Sequence, residues 1–390
     1  MNKRTVIFLW VIIVFGVMGC RKTNFATLSN PAYLRVFNCL SYNISLDNKD
    51  APQPFLTMLV NPVVDAGGIP ESAQVTGDFL DLRDNWARPY PDAANTSVYQ
   101  KEFPGTAKIL AAPILNGYDL SSWAQVPSGK LRVQFYSRPL STTDFFSLEK
   151  NQRKLLLIDT TIDLKAGEVY TMHVLEEDFT SRKKAIYLRH ETFVKEPFSD
   201  SLVYVNFYNL SEKGFYENTP EMIGGVALRN RIHDTMNVFY SLNKSKDGKI
   251  SVGIPGFSGL PMGSVIRSLE PAVAPYYSFP LFADTSASRA YTGMVSQVFT
   301  FLKPGFTLAN IGFTPFLEDG VYLALAVGPY GNEQEDVRAR VMADIRSGLI
   351  VSERSGVYNP RSFATVNTIE YINSKIFVTT VQRKFDPPIY

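Results

Sequence analysis

Histidine and cysteine are scarce in this chain, with three of the first and two of the second among 390 residues. His173, His190 and His233 stand far apart, and none has another His or a Cys at the spacing that zinc or iron sites use. No metal and no cofactor is therefore expected, and His173, which alternates with Tyr170, Met172 and Val174, is expected on the solvent face of its strand. An excess of charge is also lacking. Thirty-nine Lys and Arg oppose 37 Asp and Glu without any basic tract, so there is no footprint for nucleic acid and no polybasic patch for anionic lipid. No apolar run reaches the roughly 20 residues that a membrane-spanning helix needs.

What is present begins with a leader. Lys3 and Arg4 precede an apolar run from Val6 to Gly19, which ends at Cys20 and the basic pair Arg21 and Lys22. A positive start followed by an apolar segment too short to span reads as a cleaved signal peptide over residues 1–19. Val17-Met18-Gly19-Cys20 resembles the lipobox of bacterial lipoproteins, which implies lipid on Cys20, a tether over residues 20–29 and a membrane partner reached through that lipid. Arg21, rather than an acidic residue, follows Cys20 and leads to an expectation of outer-membrane residence in the cell envelope. Loss of Lys3 and Arg4 lowers the basic count from 39 to 37, equal to the acidic count, so the exported part is neutral. Cys39 is its only thiol, so no internal disulfide is expected and stability must come from packing. About 370 residues at 45% hydrophobic composition supply enough material for two cores.

Most of the chain alternates apolar and polar residues between Pro, Gly, Asn and Ser, the pattern of half-buried strands. Such strands are predicted at 33–37, 130–136, 155–159, 169–175, 185–189, 202–208, 238–241, 297–302, 321–327 and 376–381. In the second of these, Leu131, Val133 and Phe135 share one face, while Lys130, Arg132 and Gln134 share the other. Residues 332–346 break the pattern, because Val337, Val341 and Ile345 recur every four residues behind Asn332 and an acidic first turn. They are predicted to form one short helix. Ala32 to Ser41 and Leu202 to Ser211 echo one another, each running from an aromatic-rich strand through Asn to Leu-Ser, as two first strands would. The polar, proline-bearing stretch 195–200 lies between them as a linker. Residues 46–106 carry many prolines and glycines and read as an elaborated loop region.

The run Gly117 to Tyr136, the strand at 155–159 and Leu164-Lys-Ala-Gly-Glu-Val-Tyr-Thr-Met-His-Val174 are similar to a family of uncharacterised bacterial lipoproteins. The resemblance covers most of residues 30–195 and implies repeated immunoglobulin-like β-sandwich modules. It transfers no catalytic residue, and the pattern is lost after Ser211. The expected architecture is all-β: two tandem immunoglobulin-like β-sandwich domains, 30–195 and 200–390, with the short helix in the second.

No motif promises chemistry. Pro255 to Gly263 is superficially like a nucleophile elbow, but Leu260 holds the last glycine position and Pro261 opposes a following helix. Asn243 to Ile250 begins like a calcium loop yet has Ile254 where the bidentate glutamate belongs, and a hairpin turn at Asp247-Gly248 explains it better. The surplus is aromatic, with 27 Phe and 20 Tyr. Trp86, Tyr90, Tyr276 and Tyr277 fall in proline-bearing segments that read as loops, where exposed rings suit a sugar face or a protein hot spot. They are the candidate ligand-binding residues, and no catalytic residue is assigned. The expected function is a non-enzymatic binding module for a glycan, a peptide or an envelope protein partner. The alternative is a structural adhesin or filament subunit that associates through edge strands.

Overall fold

The computed structural model describes residues 28–41, 53–80, 102–104, 109–115, 118–139, 141, 143–192, 195–199, 202–214, 222–223, 226–227, 233–246, 250–253, 255–256, 259–272, 274–280, 283–284, 289–290, 295–302, 304–305, 322–327, 363–372 and 375–384. The leader, Cys20, Trp86, Tyr90 and the expected helix at 332–346 lie outside them. The described residues are mostly strand, with short 3₁₀ turns at Phe145–Ser147 and Lys150–Gln152, so the all-β expectation holds.

The amino-terminal half contributes β1 (Ala32–Asn38), β2 (Gln53–Val60), β3 (Val75–Leu80), β4 (Glu102–Phe103), β5 (Ala124–Val126), β6 (Gly129–Arg138), β7 (Leu156–Leu164), β8 (Val169–Glu176) and β9 (Lys184–His190). One sheet runs β9-β8-β1-β4 with β5 also on β1, and the other runs β7-β6-β2-β3. Alternation explains how they meet. Leu131, Val133 and Phe135 of β6 and Leu56, Met58 and Val60 of β2 point one way. They interlock with Ala32, Leu34 and Val36 of β1 and Tyr170, Met172 and Val174 of β8. Each such side chain contributes roughly 1.5–3 kcal/mol by leaving water. Gly129 and Gly167, at φ of 97° and 73°, sit at the turns that lead into β6 and β8.

Of residues 46–106, the described part 53–80 corrects an expectation, since β2 is a central strand and not a loop. Its neighbours are β6 and β3, and Phe55 to Val60 are all buried. Both faces are covered. Leu56, Met58 and Val60 enter the sandwich core, while Leu59 packs outward on Tyr136, Phe145 and Leu148. A strand with apolar residues on both faces shows no alternation, so a period-two search passes over it. The segment is also pinned by an ion pair. Asp78 of β3 receives the guanidinium of the buried Arg138, accepts the Thr57 hydroxyl at 2.7 Å and accepts the Phe145 amide at 2.8 Å.

The carboxy-terminal half contributes β10 (Leu202–Asn209), β11 (Thr235–Lys246), β12 (Ile250–Gly253), β13 (Leu260–Ile266), β14 (Tyr277–Pro280), β15 (Val295–Leu302), β16 (Tyr322–Val327), β17 (Phe363–Ile372) and β18 (Lys375–Lys384). Its sheets run β14-β10-β17-β18 and β12-β11-β15-β16, with β13 also on β11. The connectivity repeats that of the first half: β10 lies parallel to β17 as β1 lies parallel to β8, and each of those partners pairs antiparallel with the strand that follows it. Phe207 of β10 meets Phe299 and Phe301 of β15 edge to face, at 5.2 and 5.0 Å, where the two sheets pack. The sequence echo has a structural counterpart. Asn38 accepts the Leu40 amide and Asn209 the Ser211 amide, each at 3.2 Å, so both first strands end in the same side-chain-capped turn.

Candidate functional site

The most concentrated chemistry lies where the two halves touch. The face of β1 turned away from the sandwich core carries Tyr33, Arg35 and Phe37, with Cys39 just beyond the strand. Register sets Phe37 beside His173 of β8, and His173 beside Tyr187 of β9. Tyr208 and Leu210 at the end of β10, Val366 of β17 and Val381 of β18 close over this face in one apolar cluster with Tyr33, Phe37, Cys39, Trp123 and Tyr187.

His173 therefore corrects an expectation. Its neighbours Met172 and Val174 do enter the sandwich core, but the opposite face is covered by the carboxy-terminal half, and His173 is 0% exposed. Its Nδ1 lies 2.5 Å from Oε1 of Glu370 on β17. Cys39 Sγ lies 2.9 Å from that same oxygen and 3.8 Å from Nδ1. Cys39 and Glu370 are 3% and 1% exposed, so three metal-competent donors from both halves converge in a sealed space. The expectation that no cysteine accompanies a histidine holds along the sequence and fails in space, where residues 134 positions apart meet.

The surroundings hold this cluster rigidly. The His173 ring is tilted against Phe37 at 5.3 Å and Tyr187 at 6.4 Å, and the Cys39 amide donates to the Val174 carbonyl at 2.7 Å. Arg35, fully buried, lies 4.6 Å over the Phe37 ring and 5.2 Å from Trp123. Arg189 joins the halves directly: Nε donates to Glu191 and Nη1 to the Thr368 hydroxyl, both at 2.8 Å, with the guanidinium 4.9 Å over Tyr208. Burial pushes the Tyr187 and Tyr208 hydroxyls above their ordinary range. Further along the junction, Arg182 Nη1 bridges Glu176 at 3.0 Å and Glu212 at 3.1 Å. Burial, with the Glu176 carboxylate adjacent, raises the Glu212 carboxyl to about 8 against the pull of Arg182. Backbone pairing between Glu177 and Lys213, at 2.8 Å, completes the seam.

Cysteine, histidine and a carboxylate are the parts of a thiol nucleophile, but their arrangement differs. In a nucleophile relay the base touches the thiol and the acid orients the base from behind. Here one carboxylate oxygen touches both partners, and substrate has no path to a sulfur 3% exposed. The nucleophile-elbow candidate likewise ends in strand: Gly259, at φ 66°, leads into β13 and not a helix. The calcium-loop candidate spans a hairpin, with β11 and β12 paired from Lys246–Ile250 to Asn243–Gly253.

Of the candidate binding aromatics, two are among the described residues. Tyr276 is half-buried, with its ring edge-on to Phe198 at 5.0 Å and to Tyr204 at 6.5 Å, and burial pushes its hydroxyl up. Tyr277 begins β14 opposite Val205 and lies against Gly263, where a Cβ would stand 2.7 Å from the tyrosine hydroxyl. Tyr276 packs against the apolar cluster that contains Cys39. The signal that sequence reasoning passed over was the polar residue at every second position of β8, Thr171 and His173, both of which are fully buried.

No family model and no curated protein matches the chain. Among solved structures it is similar to a Bacteroides uniformis protein assigned to cell adhesion, at 10% identity over 92% of this chain and 100% of that one, with a TM-score of 0.18. The Porphyromonas gingivalis tip fimbrial protein Mfa3 matches at 10% identity over 91% and 99%, with a TM-score of 0.20. The fimbrial anchor protein Mfa2 of the same organism matches at 11% over 92% and 100%, with a TM-score of 0.15. Scores of this size correspond to no common superposition of the chains.

Proposed function

We propose that the chain is a lipid-anchored cell-envelope protein, held in the outer membrane through Cys20, and that it acts as a rigid non-enzymatic binding module. Its body is two tandem immunoglobulin-like sandwiches joined at residues 195–200. The observation that carries this reading is the sealed junction. The residues best able to do chemistry are buried between the halves, where they can stiffen the molecule but cannot meet a substrate. A stiff body on a lipid tether suits display toward a glycan, a peptide or an envelope protein, with Trp86 and Tyr90 as the candidate contact residues. The leader and the Val17 to Cys20 motif support the anchor. The test is fractionation of the wild type and Cys20→Ser, with mass spectrometry of the amino terminus. The serine variant should lack acyl chains and leave the membrane fraction, and acylation that survives the substitution refutes the anchor.

A second reading, a structural adhesin or filament subunit, is favoured by one edge. β7 is paired only with β6 among the described residues, and Leu155 and Leu156 at its start are 43% and 41% exposed. Light scattering on the purified chain separates the two readings: polymers that a lysine at Leu156 abolishes support the second, and a monomer at all concentrations rejects it.

A further inference from the structure

We infer that Cys39, His173 and Glu370 form a zinc site that clamps the two halves together. The donor set is the first argument. A thiolate, an imidazole and a carboxylate are the ligands of a borderline-soft divalent ion, whereas calcium and magnesium take oxygen alone. Charge is the second. Zinc with one thiolate, one carboxylate and a neutral imidazole sums to zero, which is the charge state that a fully buried site tolerates. Binding displaces the Cys39 thiol proton and takes His173 through an unprotonated Nδ1, with the ring proton on Nε2.

Geometry is the third argument. With zinc bonds of about 2.0–2.3 Å, the edges of a tetrahedral site measure roughly 3.4–3.6 Å. The three separations here are 3.8 Å from sulfur to nitrogen, 2.9 Å from sulfur to oxygen and 2.5 Å from nitrogen to oxygen. The sulfur and nitrogen stand within about 0.4 Å of a tetrahedral edge. Only the carboxylate oxygen has to withdraw, by less than about 1 Å, a movement that rotation of the Glu370 side chain supplies. The fourth position of the shell would be taken by water. Each ligand rests on a rigid element: Cys39 through its amide on Val174, His173 through its ring contacts with Phe37 and Tyr187, and Glu370 through its place in β17 opposite Phe377. The ion would couple one ligand of the carboxy-terminal half to two of the amino-terminal half, so its binding free energy would add to cohesion between them.

The test uses the full chain with Cys20→Ser, which leaves Cys39 as its one thiol and does not depend on the anchor. Because the site is sealed, the protein is unfolded with chelator and refolded with zinc or cobalt(II). One zinc per chain after gel filtration is expected, together with a raised Tm that chelator reverses on refolding. Cobalt should give a thiolate-to-metal charge-transfer band in the near ultraviolet and the intense visible bands of tetrahedral coordination. Glu370→Gln should weaken binding at least tenfold, and Cys39→Ala should remove the charge-transfer band. Refolded protein without stoichiometric zinc, a cobalt complex without the thiolate band, or full occupancy in Glu370→Gln overturns the site. If a variant does not fold, the cobalt spectrum of the parent chain decides alone.

Discussion

At Glu212 three influences compete for one carboxyl: burial and the neighbouring Glu176 favour the proton, and Arg182 opposes them, leaving the group at about 8. The unfolded chain titrates this residue near 4.5, so between about 4.5 and 8 the folded state binds more proton than the unfolded one. Its contribution to stability therefore falls as pH rises through that window and is flat above it. Glu212→Gln, which keeps the shape without the charge, should gain on the wild type by an amount that grows from pH 5 to pH 9, on the order of a few kcal/mol. Urea midpoints at pH 5, 7 and 9 measure this, and a constant difference rejects it. Two residues on opposite faces of β6 show what burial is worth. Phe135 is 0% exposed in the first core, and Phe135→Ala should cost about 3–5 kcal/mol. Arg132 meets Asp159 at 2.6 Å in solvent, and Arg132→Ala should leave the melting temperature nearly unchanged. Thermal melts of the two variants compare them directly.

At the scale of elements, the turn between β7 and β8 rests on a conformation and not on a contact. Gly167 has φ 73°, its amide donates to the Pro31 carbonyl at 2.8 Å, and a Cβ there would meet nothing within 4 Å. Gly167→Ala should therefore lose about 1–2 kcal/mol from backbone strain alone. Gly167→Asn should recover part of that loss, because asparagine enters the left-handed region more readily. Equal denaturant midpoints for Gly167→Ala and wild type would show that the turn relaxes without cost. Legible in the sequence were β1, β6, β8, β9 and β10, each predicted as a short apolar stretch between turn residues. β2 was not, because both of its faces carry apolar residues, Phe55 and Leu59 on one and Leu56, Met58 and Val60 on the other, so no alternation marks it. β17 was passed over although Ala364 and Val366 alternate with Thr365 and Asn367, and Ala364 to Glu370 are buried without interruption.

For the whole molecule, the seam carries a cost as well as cohesion. Arg189, His173, Glu370 and Glu212 are buried together with partners from the opposite half, and separating the halves would strand them. The chain should therefore unfold in one calorimetric transition. Phe299→Ala in the carboxy-terminal half should shift it as a unit, with the fluorescence change of Trp123, buried at the junction in the amino-terminal half, occurring at the same temperature. Two resolved transitions, or Trp123 melting independently of Phe299→Ala, would show that the seam does not couple them. The sequence by itself determined what depends on neighbours along the chain: the strand-rich character and the echo between Ala32 to Ser41 and Leu202 to Ser211. Tertiary structure alone decided what depends on the second covering of a face. Alternation tells that β8 has two sides and that Tyr170, Met172 and Val174 share one of them. Whether water or another sheet lies against Thr171 and His173 is settled by residues about 200 positions away, and no local periodicity carries that information.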